Sequence, residues 1–359
     1  MAFTADELAS INNSVLENYI NKGTVFKQNV QNKPLLAAFN ASAESFAGGK
    51  EFISLAVKSG QGGLTLQGYT GDDQVDYGTV TGIKRVRYAW KEHHMGLVVT
   101  HTELKYDGID VVESGSDQST NRMDGREEQA LANILDEKMD SMGEDYAFSL
   151  NRLLYADGSA DPKALAGIRS LILDNPNAGS TGGLSRVAHT WWRNRAATTA
   201  FAGAGGQGPI SSAATNGGVL IQFLDKEMRQ LKRFGGNPSL KMFAGSDFID
   251  AYKLELRSNG EYSNTGWSSG NVDGSMPEPK HGGLPFAYDP TLDDLGLAKR
   301  CYVIDMGRNG IRLFYMNGQR MKKHSPARPY DRYVMYNGIT TTGVMGARRL
   351  NTSAVYDIA

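Results

Sequence analysis

Cysteine is almost absent from this chain of 359 residues, in which Cys301 is the only one. A single cysteine cannot form an intrachain disulfide, so a reducing compartment is expected. No apolar run reaches the roughly 18 residues that a membrane-spanning helix requires, and the N-terminus lacks the basic-then-apolar order of a signal peptide. An excess of either charge is also absent. Lys and Arg number 38 against 39 Asp and Glu, which argues against bulk affinity for nucleic acid or for an anionic membrane.

A long amphipathic helix is the most distinctive feature that the sequence contains. Asp124 with Glu127 is typical of an N-terminal cap, and Gly158 of a C-terminal stop. Between them, apolar residues recur every three or four positions and form one stripe: Leu131, Leu135, Met139, Met142, Tyr146, Leu150 and Leu153. At about 1.5 Å per residue this helix spans about 45 Å, more than an ordinary globular domain needs. Such a length is typical of a helix with a structural role in an assembly.

The first forty residues predict a helix followed by an extended arm. Thr4 and Glu7 form a capping box, which predicts a helix over Ala5–Ile20. Its apolar stripe consists of Leu8, Ile11, Val15 and Tyr19. Residues Thr24–Asn40 show no clean period, so we expect an extended arm. A helix this short is marginal alone, and its stripe therefore needs a surface to pack against.

From Glu51 to Lys105 the sequence alternates as strands do. Ile53, Leu55 and Val57 share one face of a first strand. On a second strand, Val86, Tyr88 and Trp90 face opposite to Arg85 and Arg87. The stretch between them is rich in glycine and carries Asp72, Asp73 and Asp76. This pattern predicts a long hairpin with a mobile polar tip, and because two strands alone are marginal, we expect a neighbour, such as another subunit, to cover it.

The rest of the chain predicts helices packed on a sheet. Helices are expected over Leu165–Leu173, Val219–Phe234 and Asp247–Arg257, with Ser246 as an N-cap. Ser258–Gly283 is rich in Gly, Ser and Asn and predicts a long exposed loop. Strands are expected over Leu240–Phe243, Pro285–Tyr288, Cys301–Met306, Ile311–Tyr315 and Tyr333–Tyr336, with a weak last strand within Gly343–Ile358.

Motifs for nucleotide or metal binding occur only in unsuitable contexts. Gly203 to Gly208 matches a dinucleotide fingerprint, but no strand precedes it and no helix begins inside it. Adjacent strand histidines such as His93 and His94 point to opposite faces, and His101 with Glu103 lies too far along the strand to share an ion with them. The spacing of the acidic residues in the hairpin tip lacks a calcium-loop pattern. We expect no cofactor and no metal.

The sequence signals for catalysis or nucleic-acid binding are equally weak. Cys301 lies in an apolar strand, where a buried inert thiol is usual, and Asp293-Asp294 falls in a turn with no matching second site. The basic residues Lys84, Arg85, Arg87 and Lys91 accompany Tyr88 and Trp90, but alternation separates the arginines from the aromatic residues. A charged outer face that pairs with acidic loops on a neighbour is favoured over a nucleic-acid site.

The order of these parts resembles the major capsid protein of tailed bacteriophages, with its Hong Kong 97-type fold. The resemblance is reinforced locally by Gly167-Ile168, by Arg186 with Trp191-Trp192-Arg193, and by Gly283 to Asp289. It implies an α+β fold in four parts. These are an N-terminal arm (1–40), an extended β-hairpin loop (51–100), a peripheral domain with the long spine helix (41–50, 101–163 and 324–359) and a mixed helix/sheet axial domain (164–323).

The resemblance also implies a structural function without a chemical step. Copies would assemble as hexamers and pentamers into an icosahedral shell, the phage head or procapsid, in the host cytoplasm, and the virion capsid would enclose double-stranded DNA through non-specific contacts. The chain begins directly with the arm, so a separate scaffolding protein is expected, besides a portal and a possible decoration protein, with no membrane partner. Candidate contacts between subunits are Leu8, Ile11, Val15, Tyr19, Asp72, Asp73, Lys84, Arg85 and Arg87.

Two rival functions stay open at this point. A nonviral, encapsulin-like protein compartment shares the fold by the same resemblance. A soluble enzyme with a site that sequence patterns do not reveal is the other. The contents of the assembled particles distinguish the first rival from a phage shell, and a monomeric elution profile would favour the second.

Overall fold

The computed structural model describes residues 3–4, 31–48, 50–60, 64, 66–79, 82–106, 111–112, 125–211, 219–234, 238–258, 279–324 and 332–359. The chain forms two compact units. Unit 1 comprises Met1–Gln31, Glu92–Arg152 and Tyr315–Gly343, and unit 2 comprises Asn32–Lys91, Leu153–Phe314 and Val344–Ala359. None of the described helices is long and apolar enough to cross a membrane.

Helices and strands alternate irregularly along the described residues. The α-helices are α1 (Pro34–Ser42), α2 (His101–Tyr106), α3 (Gly125–Tyr155), α4 (Ile168–Leu171), α5 (Thr199–Ala202), α6 (Val219–Arg233), α7 (Ser246–Ser258) and α8 (Pro290–Asp294). The strands are β1 (Phe3–Thr4), β2 (Glu44–Phe46), β3 (Phe52–Lys58), β4 (Ile83–Ala89), β5 (Lys91–Thr100), β6 (Val111–Val112), β7 (Ser180–Thr181), β8 (Leu184–Ser185), β9 (Arg195–Ala197), β10 (Leu240–Ala244), β11 (Lys280–His281), β12 (Leu284–Tyr288), β13 (Arg300–Asp305), β14 (Ile311–Met316), β15 (Lys322–His324), β16 (Val334–Ala347) and β17 (Ala354–Asp357).

Unit 1 is built on the long helix α3, which confirms the predicted helix to within a few residues. Met139 and Met142 from the predicted stripe are buried against Ile339 of β16. Half-buried Met95 and Leu97 of β5 pack on the same cluster. Strand alternation then leaves the intervening residues of β5 on the opposite, more exposed face of the sheet.

Unit 2 contains a six-stranded mixed sheet in the order β11-β12-β10-β13-β17-β9. The hydrophobic core cluster joins residues of this sheet to α6 and α7. The predicted stripe of α6 is buried there, and the buried Glu255 of α7 accepts a hydrogen bond of 2.9 Å from the backbone N–H of Leu220. That contact satisfies one of the N–H groups that the first turn of a helix leaves without a partner.

The predicted extended arm is wrong where α1 lies. Pro34 stands at the start of this nine-residue helix, where its fixed φ suits a helix and its missing N–H costs nothing. Leu35, Leu36 and Phe39 are buried on it. A helix of this length is shorter than the windows in which helical periodicity is read, so its signal was missed.

The last two strands are longer or more central than predicted. β16 runs over 14 residues instead of the four of Tyr333–Tyr336, and it takes in the start of the supposed weak strand. β17 lies between β13 and β9 and is mostly buried. Most of β16 is buried on both faces, so it lacks the alternation by which half-buried strands are recognised.

Two smaller expectations are also wrong. His101 begins helix α2, so the alternating pattern does not continue as a strand to Lys105. Asp293-Asp294 lies at the end of helix α8 and not in a turn. The carboxylate of Asp289 accepts from the N–H of Thr291 and caps that helix. Such a cap is a local signal for a helix and not for a turn.

Alkaline pH should destabilise the protein through its buried tyrosines. Burial raises the pKa of Tyr315 to about 12, whereas tyrosine in an unfolded chain titrates near 10. Below about pH 10 both states keep the proton, and between about pH 10 and 12 only the folded state does, so the free energy of unfolding falls as pH rises. Burial raises the pKa of Tyr88, Tyr155 and Tyr356 as well, which adds to the effect.

Urea unfolding followed by circular dichroism across this pH range measures the effect. Tyr315→Phe keeps the ring without the ionisable hydroxyl, so its stability should depend less on pH. If the buried tyrosines of the folded protein ionise near pH 10, as in an unfolded chain, the prediction is contradicted.

Candidate interaction surface

Strands β3 and β4 form the predicted hairpin ribbon. They pair antiparallel from Phe52↔Ala89 at the base to Lys58↔Ile83 at the outer end. Ile53, Leu55 and Val57 are buried on one face, as predicted. Val86 and Tyr88 are buried on the same face from β4, and Arg85 and Arg87 are exposed on the other.

The inner face of the ribbon is covered by residues of the same chain. The Tyr88 hydroxyl donates to the carbonyl of Ala347 at 3.1 Å, and the N–H of Arg87 donates to the carbonyl of Gly182 at 3.0 Å. Gly182 has a φ of +61°, and a Cβ on it would lie 2.8 Å from the Cβ of Val86, so both the turn and the close approach require glycine. The neighbour expected to cover the ribbon is, for the inner face of β3 and β4, unit 2 of the same chain and not another subunit.

A buried arginine organises the segment that supports the ribbon. Arg186 is fully buried and donates to Thr181 Oγ1 at 2.9 Å, to Asn194 Oδ1 at 2.5 Å and to the carbonyl of Leu171. Burial lowers the pKa of this guanidinium to about 10. The Trp192 indole donates to the carbonyl of Thr181 at 3.1 Å. These bonds hold the β7–β8 turn, which carries Gly182, against the ribbon.

The outer face of the ribbon is basic. Arg85 lies opposite Ala56 and Arg87 opposite Ser54, and the Arg87 guanidinium carbon lies 4.9 Å from the centre of the Phe52 ring. Lys84 pairs with Val57, so it is on the inner side and is exposed only because it lies near the outer end of the ribbon. Lys84 therefore does not share the charged face of the two arginines, as strand alternation requires.

The tip of the hairpin, described for residues 64 and 66–79, is tied by its own hydrogen bonds. Gln67 and Asp76 pair reciprocally: Gln67 Nε2 donates to Asp76 Oδ2 at 3.2 Å, and the backbone N–H of Asp76 donates to Gln67 Oε1 at 2.9 Å. Asp73 accepts from the N–H of Thr70 at 2.9 Å and closes the turn at Gly71. Asp72 and Asp73 are both exposed. Of the two, Asp73 has a structural role in the turn.

Large apolar side chains are also exposed on the tip. Leu66 and Tyr77 are essentially fully exposed, at 103% and 95%, and the others are Leu64, Tyr69 and Val75. Scattered single apolar residues on a surface need no explanation, but five within one short tip are typical of an interaction site. From residue 61 to residue 82 the sequence contains three aspartates and no Lys or Arg. The tip is therefore apolar and acidic.

A cavity of about 440 Å³ lies at the outer end of the ribbon. Its walls include residues 56–60, Trp191, Phe234 and residues 348–351. Three basic residues and no acidic residue line it: Lys58, Arg348 and Arg349. The buried Asn351 Oδ1 in its wall has no hydrogen-bond partner among the described residues. The cavity is aromatic and basic, so its charge is complementary to that of the tip.

The other predicted residues lie apart from this surface or outside the described residues. The candidate contacts Leu8, Ile11, Val15 and Tyr19, with the predicted helix over Ala5–Ile20, fall outside the described residues, as does most of the loop Ser258–Gly283. Cys301 is fully buried, and burial raises the pKa of its thiol, as expected for an inert cysteine. In the part of the chain that the structure describes, no three side chains converge as metal ligands.

A second cavity, of about 320 Å³, is lined by Gln207 of the fingerprint segment and by a group of charged side chains. Glu227 in its wall accepts from Arg195 Nη2 at 2.7 Å, from Arg195 Nε and from the Tyr356 hydroxyl at 3.0 Å. All of these contacts lie within unit 2, and they neutralise the carboxylate. The helix α5, and not a strand, directly precedes the fingerprint, and no described helix begins within it, so the nucleotide-binding architecture is missing there.

No protein-family model and no curated protein matches this chain. Solved structures do match. The capsid asymmetric unit of cyanophage A-1(L) is similar at 14% identity with a TM-score of 0.62, over 93% of this chain and 96% of that chain. The capsid of a native GTA particle is similar at 12% identity with a TM-score of 0.55, over 93% of each chain. The capsid of Myoviridae phage XM1 is similar at 11% identity with a TM-score of 0.51, over 94% of this chain and 95% of that chain.

These similarities extend over nearly the whole length of both chains. The prediction of an α+β fold of the Hong Kong 97 type is therefore confirmed. At such low identities the likeness concerns the fold, and function has to be argued from the surface described above.

Proposed function

We propose that this chain, which has the fold of tailed-phage capsid proteins, is a major capsid protein whose copies assemble into an icosahedral shell around the phage genome. The observation that carries the proposal is the hairpin: its ribbon is held firmly by its own unit, and it presents an apolar, acidic tip to solvent. A supported ribbon with an uncovered tip fits a subunit that completes its packing by contact with another copy.

The contact that we propose joins the tip of one copy to the basic surface of another. Asp72 and the exposed apolar residues of the tip would face the outer arginines Arg85 and Arg87. Apolar burial would supply most of the free energy of association, and the complementary charges would set its orientation. No step of this mechanism needs a catalytic residue.

Further parts of the proposal rest on the resemblance alone. They are hexamers and pentamers as assembly units, the division into arm, extended loop, peripheral and axial domains, a separate scaffolding protein, a portal, a decoration protein and non-specific contacts with double-stranded DNA. The virion capsid is the proposed location, after assembly in the host cytoplasm. The stripe of Leu8, Ile11, Val15 and Tyr19 stays a candidate contact within this proposal.

Expression of the full chain, alone and with its scaffolding protein, tests the proposal. Size-exclusion chromatography and negative-stain microscopy should reveal closed, regular shells. A chain that elutes as a monomer under all assembly conditions would contradict the proposal and favour an enzyme. Shells that enclose a specific cargo protein and no DNA in the native host would favour the encapsulin-like compartment instead.

Charge reversal on the outer face should weaken assembly in a salt-dependent way. Arg85→Glu and Arg87→Glu remove attraction to the acidic tip and add repulsion. Because salt screens exposed charges over about 8 Å at physiological ionic strength, we expect a larger loss at low salt than at high salt. The yield of shells by light scattering measures the effect.

Lys84→Glu is the matched control, since Lys84 lies on the other side of the ribbon. It makes the same change of charge one residue away and should have the smaller effect. Equal losses for all three variants would show that net charge matters and that the outer face does not.

A further inference from the structure

Two histidines far apart in the sequence meet on the exposed face of the unit 1 sheet. His324 of β15 pairs directly with Gly338 of β16, and β5, which carries His94, pairs with β16 as well. The two imidazole rings are 5.2 Å apart between centroids and tilted by 36°. Gly338, which has no side chain, allows both rings to lie over the middle strand.

The two Nε2 atoms both approach the side of this glycine that faces away from α3. A Cβ built on Gly338 would lie 2.7 Å from Nε2 of His94 and 2.9 Å from Nε2 of His324. A Cβ on Gly96, the next residue on the same face of β5, would lie 2.8 Å from Cε1 of His94. Among the described residues, neither imidazole makes a hydrogen bond or an ion pair. Both nitrogens are therefore available to a ligand that lies between the two rings, further from the strand than a Cβ would be.

We propose that His94 and His324 bind one transition-metal ion of the Zn²⁺ type above Gly338. Imidazole nitrogen is a preferred ligand of Zn²⁺, Ni²⁺ and Cu²⁺, at about 2.0–2.1 Å for zinc, and small rotations of two side chains on one open face can reach that distance. Water fills the remaining coordination positions, since His94 is exposed. The ion joins β5 to β15 across β16 and stiffens this face of the sheet.

Charged neighbours on the same face act in opposite directions. Glu92 precedes His94 by two residues on β5, and its negative charge favours a cation. Lys322 precedes His324 by two residues on β15, and its positive charge opposes one.

The test is titration of the full-length protein with Zn²⁺ alone, followed by isothermal calorimetry and by the shift in melting temperature. The wild-type chain should bind one ion, and binding should raise its melting temperature. His94→Ala and His324→Ala should each weaken binding at least tenfold. Gly338→Ala should weaken it too, although both histidines remain, because the new methyl group would lie within 3 Å of both nitrogens and push the two rings away.

His93→Ala is the control, since alternation places His93 on the opposite face of β5. It should bind Zn²⁺ like the wild type. Circular dichroism without metal confirms that each variant is folded. The site would be disproved if the double variant His94→Ala/His324→Ala bound Zn²⁺ with the wild-type affinity, or if the wild type bound none. The proposal does not depend on shell assembly, so the failure of either proposal leaves the other to be judged separately.

Discussion

The triple variant Leu66→Ser/Tyr69→Ser/Tyr77→Ser should abolish shell assembly and leave the subunit folded. All three side chains are exposed in the single chain, so their loss removes little packing within it. If they become buried between copies, each loses roughly 1.5–3 kcal/mol of apolar burial. The three together then weaken association by about 4 kcal/mol or more, which raises the critical concentration for assembly about a thousandfold.

Circular dichroism melting and light scattering against protein concentration measure the two halves of this prediction. Leu254→Ser is a control, because Leu254 is also exposed, at 52%, but lies on α7, away from the hairpin. It should assemble normally. If the triple variant forms shells at the wild-type concentration, the tip has no role in assembly.

The variant Ser141→Pro should destabilise the subunit and prevent assembly. Ser141 lies in the interior of α3 with an exposed side chain, so the substitution acts on the backbone and removes no buried contact. Proline there loses a helical hydrogen bond and clashes with the preceding turn, at a cost of about 3 kcal/mol or more. The kink would also displace Met139 and Met142 from their packing on Ile339.

Urea unfolding of the unassembled subunit and particle counts by microscopy test this second prediction. Ser141→Ala is the matched control, since alanine favours a helix more than serine does and should leave stability equal or slightly higher. Normal stability and normal particles from the proline variant would mean that α3 does not act as a continuous rigid element.

Elements with strong local signals were predictable from the sequence. The long helix α3, the α6 stripe and the ribbon of β3 and β4 each bury one face and expose the other, so periodicity reveals them. Strand β16 and the short helix α1 were not predictable in this way. One is mostly buried on both faces, and the other spans only nine residues.

Contacts between distant parts of the chain were the least predictable features of the site. The ribbon depends on Tyr88 meeting Ala347, and the proposed metal site on His94 meeting His324. Such pairs follow from tertiary packing, on which local patterns carry no information. The exposed apolar side chains of the tip were overlooked because its glycines and aspartates dominate its composition, although Leu66, Tyr69 and Tyr77 are plain in the sequence.

The measurement that tests the central claim most directly is a cryo-electron microscopy reconstruction of the particles that the full chain forms. We predict a closed icosahedral shell in which residues 66–79 of each copy contact another copy, with Leu66, Tyr69 and Tyr77 buried between them. A shell in which every tip points into solvent would contradict the proposed contact. No closed particle under any assembly condition would contradict the proposed function itself.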